Sequence, residues 1–296
     1  MNHEIEKLND RFGIPGLTFE SANDGLTRAI VNTPAVKGEL YLHGAHVTGF
    51  QPVGHSAILW MSENSFFEIG KPIRGGVPLC FPWFGPNPKD AHAPAHGLAR
   101  TRSWNCSASS RLADDGIALE LSANIAGYSL KYRAEFGSSL RLALQVELTP
   151  DVLAPQSFEE ALHTYFSIGD IRQVDIEGLE SCDYLDKVGG LTKRSATHEA
   201  IRFSGETDRV YLDAKNICVL NDRKLQRAIT IRSAGSKSTV VWNPWIDKSI
   251  KMQDFGDNEW PEMVCIETAN VADHAITLEP GQIHTIATSI HVSNLP

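Results

Sequence analysis

Cysteine is scarce in this chain of 296 residues: there are only five, and they lie far apart. No two of them form a CxxC pair, so the sequence does not indicate a zinc site or redox motif of that kind. Single cysteines at apolar positions are typical of reduced core residues in a cytosolic protein. We therefore expect a cytoplasmic protein in which these cysteines are free: Cys80, Cys106, Cys182, Cys218 and Cys265.

Long apolar runs are also absent. No segment approaches the ~20 apolar residues of a membrane-spanning helix, and the charged opening segment, residues 1–13, lacks the apolar core of a secretory signal. Basic charge is in deficit, with 27 lysines and arginines against 36 acidic residues. This balance disfavours nucleic acids and anionic membranes as partners, because both select basic surfaces. A local arginine cluster can still bind a small anion, because salt screens the effect of acidic residues that lie more than ~10 Å away.

Helical periodicity is nearly absent too. One short amphipathic helix is predicted at the start, where Ile5, Leu8 and Phe12 recur at helical spacing before Gly13. Strands do not alternate with long helices elsewhere, which disfavours a parallel α/β fold. The clearest strand is 140–148, where five aliphatic residues occupy every second position.

Shorter runs of the same kind follow one another along most of the chain. Many antiparallel strands joined by turns are typical of a β-sandwich or barrel. No linker-like boundary separates them, so we predict an all-β fold with a few short helices and a single domain spanning residues 1–296. The predicted strands are 39–51, 57–61, 116–124, 132–136, 162–168, 216–220, 228–232, 238–242, 263–268, 275–278 and 283–292.

The segment from Arg74 to Arg100 is the most unusual part of the sequence. It contains five prolines and four glycines, together with the aromatic residues Phe81, Trp83 and Phe84. Proline cannot donate to a helix or a sheet ladder, so a long regular element is excluded. The aromatic residues are too apolar for a flexible linker, so we predict a long rigid loop, and such loops are usually functional. The arginines at its ends suit planar oxyanions such as phosphate.

His163 is a candidate functional residue because of its place in the predicted strand 162–168. Alternation would put Leu162, Thr164, Phe166 and Ile168 on one face, and His163, Tyr165 and Ser167 on the other. The second face would then point into a polar space. From this stretch alone, a hydrogen-bonded histidine at a sheet surface is the favoured interpretation.

Glu267 is a candidate because it ends the apolar run Met-Val-Cys-Ile-Glu at 263–267. An unpaired buried carboxylate is costly, so this residue needs a partner or a function. The alternative is a glutamate at a strand end that emerges into water, and the spacing alone does not decide between the two.

Other candidates have simpler structural explanations. Asp208 suits a turn. Trp242 and Trp245 flank an Asn-Pro pair and predict either a core corner, the favoured interpretation, or a platform for stacking sugars. The histidine pairs in 43–46 and 92–96 lack the spacing of common metal sites, so we expect no metal there.

Six segments taken together resemble one protein family. They occur in the family's order and cover roughly residues 15 to 292, so the match is highly specific although each motif alone is weak. The chain resembles the glucose-6-phosphate 1-epimerase (hexose-6-phosphate mutarotase) family, within the aldose 1-epimerase-like superfamily. The segments are RGGVPLCFPWFG (74–85), PAHGLAR (94–100), ALHTYFSI (161–168), ETDRVY (206–211), VVWNPW (240–245) and VCIET (264–268).

This resemblance implies a fold and a set of site residues. The implied fold is a galactose-mutarotase-like β-supersandwich that uses no metal and no organic cofactor. The family's catalytic histidine falls on His163 and its catalytic glutamate on Glu267. Its substrate contacts fall on Arg74, Arg100 and Asp208, and a sugar-contacting histidine of the wider superfamily falls on His96. Some relatives have glutamine where this chain has Ala95, so one side-chain contact to the substrate is missing or replaced.

The implied activity is interconversion of the α and β anomers of a hexose 6-phosphate, by a protein expected to be monomeric. Mutarotation requires only proton transfers. Glu267 would act as the base at the C1 hydroxyl and His163, protonated, as the acid at the ring oxygen, on opposite sides of the C1–O5 unit. We expect anionic groups near His163 that keep it protonated.

Two alternatives remain open from the sequence. An aldose 1-epimerase for unphosphorylated sugars would share this chemistry and lack only the arginine clamp. A non-catalytic carbohydrate-binding β-sandwich would instead use Trp83, Trp242 and Trp245 as stacking platforms.

Overall fold

The computed structural model describes residues 2–22, 25–87 and 89–295, and its regular structure is overwhelmingly β. The prediction of an all-β fold with a few short helices is confirmed. The helices are α1 (Asn2–Phe12) and α2 (Trp245–Ser249), with single 3₁₀ turns at Ala99–Thr101, Ile171–Gln173, Trp260–Glu262 and Ala272–His274. The strands are β1 (Leu17–Ser21), β2 (Thr27–Asn32), β3 (Val36–Tyr41), β4 (His46–Pro52), β5 (Leu79–Cys80), β6 (Asn105–Arg111), β7 (Ile117–Ile125), β8 (Tyr128–Phe136), β9 (Leu140–Leu148), β10 (Gln156–Phe158), β11 (Glu160–Leu162), β12 (Tyr165–Ser167), β13 (Val174–Glu177), β14 (Tyr184–Asp186), β15 (Thr192–Arg194), β16 (Thr207–Leu212), β17 (Ile217–Asp222), β18 (Arg227–Ala234), β19 (Ser238–Asn243), β20 (Met263–Asn270), β21 (Ile276–Leu278) and β22 (Ile283–Asn294).

Two large antiparallel sheets make up most of the fold. One has the strand order β13-β17-β18-β22-β9-β8-β7-β6. The other, which we call the site sheet, has the order β15-β14-β16-β19-β20-β11-β5, with β12 also paired to β20. The strands β1 to β4 form a separate four-stranded sheet. Side chains of both large sheets, such as Leu144 and Ile266, share one buried cluster, so the sheets pack face to face.

The alternating sequence of β9 explains how its sheet is stabilised. Its five aliphatic side chains are buried in the core cluster while the residues between them are more exposed, as the pattern predicts. Burial of each such side chain contributes roughly 1.5–3 kcal/mol. The neighbouring strand β8 pairs with β9 along its whole length, from Tyr128 opposite Leu148 to Phe136 opposite Leu140. The predicted strands 132–136 and 140–148 are therefore confirmed as paired neighbours, and the first is longer than the sequence indicated.

The predicted strands 39–51 and 57–61 do not form as continuous strands. The run 39–51 was expected as one strand, but a turn at residues 42–45 divides it into β3 and β4. That turn packs on another segment, because Gly44 N donates to the carbonyl of Arg102 at 2.7 Å. The run 57–61 forms only isolated bridges, from Leu59 to Phe166 and from Met61 to Gly75. Both differences depend on contacts with distant residues, which local alternation does not show.

The predicted strand 162–168 is interrupted at its second residue. The ladder stops at Leu162, resumes at Tyr165, and pairs with β20 on both sides of the gap. In the gap His163 N donates to the carbonyl of Pro78 at 3.1 Å, and the carbonyl of Thr164 accepts from Ile266 N at 3.1 Å. His163 therefore lies outside the regular ladder, in the middle of the site sheet.

The opening helix was predicted correctly, and the structure shows what holds it. The side chain of Asn9 donates to the carbonyl of Phe19 at 2.7 Å and accepts from Phe19 N at 2.8 Å, which fixes α1 on β1. None of the helices in the described ranges is long and apolar enough to cross a bilayer.

The described residues of the proline-rich segment, 74–87 and 89–100, form a loop with few regular elements. It contains only the two-residue strand β5 and ends in a 3₁₀ turn. Leu98 N donates to the carbonyl of Phe81 at 2.7 Å, and His96 N donates to the carbonyl of Gly85 at 2.7 Å. Gly97 has φ +78, and an added Cβ would lie 2.0 Å from the carbonyl oxygen of Phe81. Only glycine fits there, so this close approach accounts for Gly97 in the loop.

Candidate active site

A cavity of about 240 Å³ opens on the site sheet, and the loop 74–100 forms part of its wall. All six residues that the sequence singled out line this cavity: Arg74, His96, Arg100, His163, Asp208 and Glu267. Further lining residues that sequence reasoning did not assign to the site are Phe84, Tyr165, Lys187, Val240, Lys248 and Met252. Trp242, one of the two open tryptophan candidates, also lines it.

His163 and Glu267 are in contact at the base of the cavity. The Nε2 atom of His163 lies 3.4 Å from Oε1 of Glu267. Both side chains are almost fully buried, and within the described residues neither His163 Nδ1 nor Glu267 Oε2 has a hydrogen-bond partner. Two buried polar atoms without partners beside a cavity are available to a ligand.

Glu267 does not emerge into water, so the alternative of a solvated strand end is wrong. It lies on β20, an interior strand, in register with Val240 of β19. Burial raises the pKa of its carboxyl well above the usual value, and the nearby Asp208 carboxylate raises it further, against the opposing effect of Lys187 and Arg100. Glu267 is therefore held toward its protonated form.

His163 is enclosed by aromatic side chains. The ring of Tyr165 stacks on it at 4.9 Å between centroids and 12° between planes, and Phe84 lies at 6.3 Å. Burial lowers the pKa of His163 well below its usual value, and the cations Arg100 and Arg74 lower it further. The expectation that anionic groups keep this histidine protonated is wrong, because burial and the two arginines outweigh the effect of the one carboxyl in contact with it.

Arg74 is held by an acidic residue that the sequence did not reveal. Its Nε and Nη2 atoms donate to Asp254 at 3.1 and 3.0 Å, and its Nη1 donates to the hydroxyl of Tyr165 at 2.8 Å. Burial lowers the pKa of Arg74, but Tyr165 and Asp254 outweigh this effect, so the pKa is raised overall. The charge of Arg74 is thus already balanced by a carboxylate.

Arg100 is more deeply buried and differently satisfied. Its Nη2 donates to the carbonyl of Ala95 at 2.7 Å, while its Nε has no partner among the described residues. Burial is the main cause of a lowered pKa for this guanidinium. One hydrogen bond of Arg100 therefore holds the loop through a backbone carbonyl, whereas Arg74 contacts side chains.

His96 and Asp208 line the cavity from different segments, the loop 74–100 and β16. His96 Nδ1 lies 3.5 Å from Cys80 Sγ and 3.3 Å from Gly85 N, and burial, with the charge of Arg100, lowers its pKa. Asp208 is on β16 rather than in a turn, and its carboxylate lies between two lysines, 3.5 Å from Lys187 Nζ and 3.9 Å from Lys248 Nζ. No spacing in the sequence indicated either lysine, since they come from separate segments.

Three of the remaining candidates stabilise the fold and do not line the cavity. Trp245 packs against Trp260 at 4.4 Å between ring centroids, as a corner residue would. His43 and His46 bond through Nε2 to the carbonyls of Lys71 and Gly75 at 2.8 and 2.7 Å, so both serve the scaffold.

One group of side chains near the cavity has the chemistry of metal ligands. Ligand atoms of His163, Cys265 and Glu267 lie within 4.8 Å of one another. However, burial raises the pKa of the Cys265 thiol well above its usual value, and Arg74 and Arg100 lie close to the histidine. These cations and the protonated thiol oppose binding of a metal cation.

Comparisons with known proteins agree with the geometry. The family model described as aldose 1-epimerase matches residues 29–291. A protein of Escherichia coli K12 with the provisional name glucose-6-phosphate 1-epimerase is 35% identical over 275 residues, which is 91% of this chain and 92% of that protein. A protein of the plant Cenchrus ciliaris with the same provisional name is 33% identical over 259 residues, 82% of this chain and 78% of its own.

A solved structure shows the same fold. The crystal structure of YeaD from Salmonella typhimurium, provisionally described as a mutarotase, superposes with a TM-score of 0.88 at 30% identity and covers 99% of this chain and 100% of its own. The predicted galactose-mutarotase-like supersandwich is thereby confirmed. The family model spans most of this chain, and the Escherichia coli relative is 35% identical over 91% of it. This chain therefore belongs to the aldose 1-epimerase family.

Proposed function

We propose that this protein interconverts the α and β anomers of hexose 6-phosphates, with glucose 6-phosphate as the expected substrate. The observation that supports this most directly is the contact of His163 with Glu267 at the base of a cavity whose walls contain arginines and lysines. A paired acid and base suits a reaction made only of proton transfers, and the surrounding cations suit an anionic substrate. The provisional names of the relatives indicate the same substrate.

The reaction needs one proton on the pair at every stage. Ring opening begins with Glu267 ionised and His163 protonated: the carboxylate removes the C1 hydroxyl proton, the imidazolium gives a proton to the ring oxygen, and the C1–O5 bond breaks. The pair is then left with Glu267 protonated and His163 neutral. After rotation about C1–C2, each group reverses its role and the ring closes on the other face of the aldehyde.

Burial and the neighbouring charges favour the second of these two protonation states. The pKa of Glu267 is raised and that of His163 is lowered, which shifts the shared proton toward the carboxyl. An anionic phosphate would offset the cations that lower the pKa of His163 and so favour the reactive ion pair. We propose that phosphate binding thereby assists catalysis as well as affinity.

The direct contact of the two groups refines how the sugar is held. At 3.4 Å the atoms leave no room for the C1–O5 unit between them. We propose that the sugar separates them slightly on binding, with its C1 hydroxyl on Glu267 and its ring oxygen on His163. Phe84 and Trp242 provide apolar surface for the sugar ring.

The test is exchange between anomers measured by NMR. We expect the wild-type protein to accelerate exchange of glucose 6-phosphate, and the variant His163→Ala to lose this acceleration while keeping its affinity for the sugar phosphate. His291→Ala, at an exposed position of β22, is the matched control. Loss of binding together with exchange in His163→Ala, or an active His163→Ala, would contradict the assignment.

The two rival functions have their own signatures in this experiment. A higher kcat/KM for free glucose or galactose than for their 6-phosphates would show an epimerase of unphosphorylated sugars. Binding of sugars without any exchange would show a carbohydrate-binding protein. The contact between His163 and Glu267 favours the enzyme, because binding alone does not require that pair.

We also propose that the protein works as a cytoplasmic monomer on this small molecule, without a nucleic-acid partner. The acidic composition and the five buried, free cysteines support the proposal. Light scattering coupled to size-exclusion chromatography tests the monomer, since a mass near twice 32.5 kDa would contradict it.

A further inference from the structure

Arg74 and Arg100 are both engaged by groups of the protein itself, which limits how far they can balance the charge of a bound phosphate. The guanidinium of Arg74 is engaged by Asp254 and Tyr165, so its charge is largely balanced before any ligand arrives. Arg100 is nearly buried and one of its donors is used by the carbonyl of Ala95. A doubly charged phosphate at the mouth of the cavity therefore needs a further cation that is free to move toward it.

Lys187 has the position and the freedom for that role. Its backbone is fixed, because Lys187 N donates to the carbonyl of Asp208 at 2.8 Å, directly after β14. Its side chain is about one third exposed, at 32%, and its ammonium lies 5.2 Å from the ring centroid of Phe84. Phe84 in turn lies against His163, so the ammonium is near the proposed reacting pair.

The ion pair of Lys187 is loose enough to be exchanged. Its Nζ lies 3.5 Å from Oδ1 of Asp208, longer than a charge-assisted hydrogen bond. Lys248 differs, because its Nζ lies 2.7 Å from Glu206 and is already tightly paired. An ammonium on a flexible stem exchanges one oxygen partner for another at little cost.

We propose that Lys187 is a specificity residue that leaves Asp208 to bind the substrate phosphate, and that Asp208 is thereby released to accept hydrogen bonds from the sugar. This inference rests on the proposed function and adds a residue and an exchange of partners to it. Because one movement serves both ends of the substrate, phosphate binding and sugar positioning become coupled.

The experiment compares Lys187→Met and Lys187→Arg with the control Lys131→Met, an exposed position on β8 of the other large sheet. Met keeps the aliphatic stem on Phe84 and removes only the charge. We expect Lys187→Met to raise KM for glucose 6-phosphate ~10-fold or more, the size of a lost bond to a charged group. For free glucose we expect kcat/KM to rise rather than fall, because Lys187→Met leaves Asp208 free for the sugar, and we expect Lys187→Arg to restore most of the affinity for glucose 6-phosphate.

Binding of inorganic phosphate gives a second readout that does not depend on activity. Titration calorimetry should show a Kd for phosphate that rises in Lys187→Met by a similar factor and is unchanged in Lys131→Met. Equal losses with glucose and glucose 6-phosphate, or a phosphate Kd like that of the control, would overturn the role of Lys187. If the wild-type protein fails to accelerate exchange of glucose 6-phosphate, the proposed function itself is lost, whatever the variants do.

Discussion

The imidazole of His163 and the carboxyl of Glu267 lie 3.4 Å apart, although one belongs to an interruption between two short strands and the other to a continuous interior strand. Burial shifts their pKa values in opposite directions, upward for Glu267 and downward for His163. One proton is therefore shared by the pair over a wide range of pH, and the apparent pKa values belong to the pair rather than to either residue.

The pH profile of the enzyme should show this shared proton. We expect kcat/KM to have a plateau where the pair holds one proton, to fall at low pH when it takes up a second, and to fall at high pH when it loses the last. Because the pKa of His163 is lowered, the acid limb should lie below the ordinary histidine value of 6.5.

Free glucose is the better substrate for that profile, since a phosphate ester itself titrates near pH ~6. An acid limb centred above 6.5 would contradict the lowered pKa of His163. With glucose 6-phosphate, kcat should show its acid limb at higher pH than with glucose, because the bound anion offsets the cations around the histidine.

Glu267→Gln should separate activity from stability. We expect kcat to fall by ~10²–10⁴-fold, the usual effect of removing a proton-transfer group. The raised pKa of Glu267 means that above its ordinary value of 4.5 the unfolded chain ionises this carboxyl while the folded protein keeps it protonated, so the native residue costs stability as pH rises.

Thermal unfolding tests the predicted effect of Glu267 on stability. Glu267→Gln should raise Tm at pH 7, and the gain should disappear near pH 4, where both states bind the proton. Glu262→Gln, at an exposed position just before β20, is the control and should change Tm little at either pH. A lower Tm for Glu267→Gln at pH 7 would contradict the raised pKa of Glu267.

Arg74 and Asp254 should behave as a unit in stability. Both side chains are mostly buried, so Arg74→Ala leaves a carboxylate without its partner and should cost about 3–5 kcal/mol. The double variant Arg74→Ala/Asp254→Asn removes that charge and should recover a large part of the lost stability. Denaturant unfolding of the two variants measures the difference, and equal stabilities would show that the pair is not coupled.

Arg74 should also affect the preference for phosphorylated over free sugars. Arg74→Ala should raise KM for glucose 6-phosphate more than for free glucose, as expected for a phosphate contact. Because Asp254 already balances the charge of Arg74, the effect should be smaller than that of Lys187→Met. Initial rates with both sugars measure the ratio, and an equal effect on both would remove Arg74 from the phosphate site.

Arg227 is a buried arginine that lies outside the cavity and contributes to the stability of the fold. It is 3% exposed, and its Nη1 donates to Ser56 Oγ at 3.0 Å and to the carbonyl of Ala57 at 3.1 Å. These bonds tie β18 to an irregular segment, so Arg227→Ala should destabilise the fold by about 3 kcal/mol. Arg141→Ala, whose side chain is 62% exposed, should change the free energy of unfolding by less than about 0.5 kcal/mol.

Sequence periodicity predicted the all-β fold well where one face of a strand is buried and the other is not. β9 shows this alternation along its full length. Periodicity predicted the bounds of strands poorly where the backbone partners come from distant segments, as in 39–51 and 57–61. Contacts of that kind leave no local pattern in the sequence. Strands without clear alternation, such as β6 and β16, were missed, and so was the short alternating strand β1. The single domain over residues 1–296 stays a prediction, which the cluster from Phe12 to Val292 supports.

The sequence alone determined which residues to look for. The order of its motifs identified six side chains, from Arg74 to Glu267, and the structure places all six around one cavity. Their catalytic and binding roles stay predictions until the variants are measured.

Tertiary structure alone decided what those residues can do. Residues far apart in the sequence meet there: His163 with Glu267, Arg74 with Asp254, and Lys187 with Asp208. Burial then reverses the protonation expected for His163, since desolvation and neighbouring cations outweigh the single carboxyl beside it. Such effects depend on distance and solvent exclusion, which the order of residues along a chain does not contain.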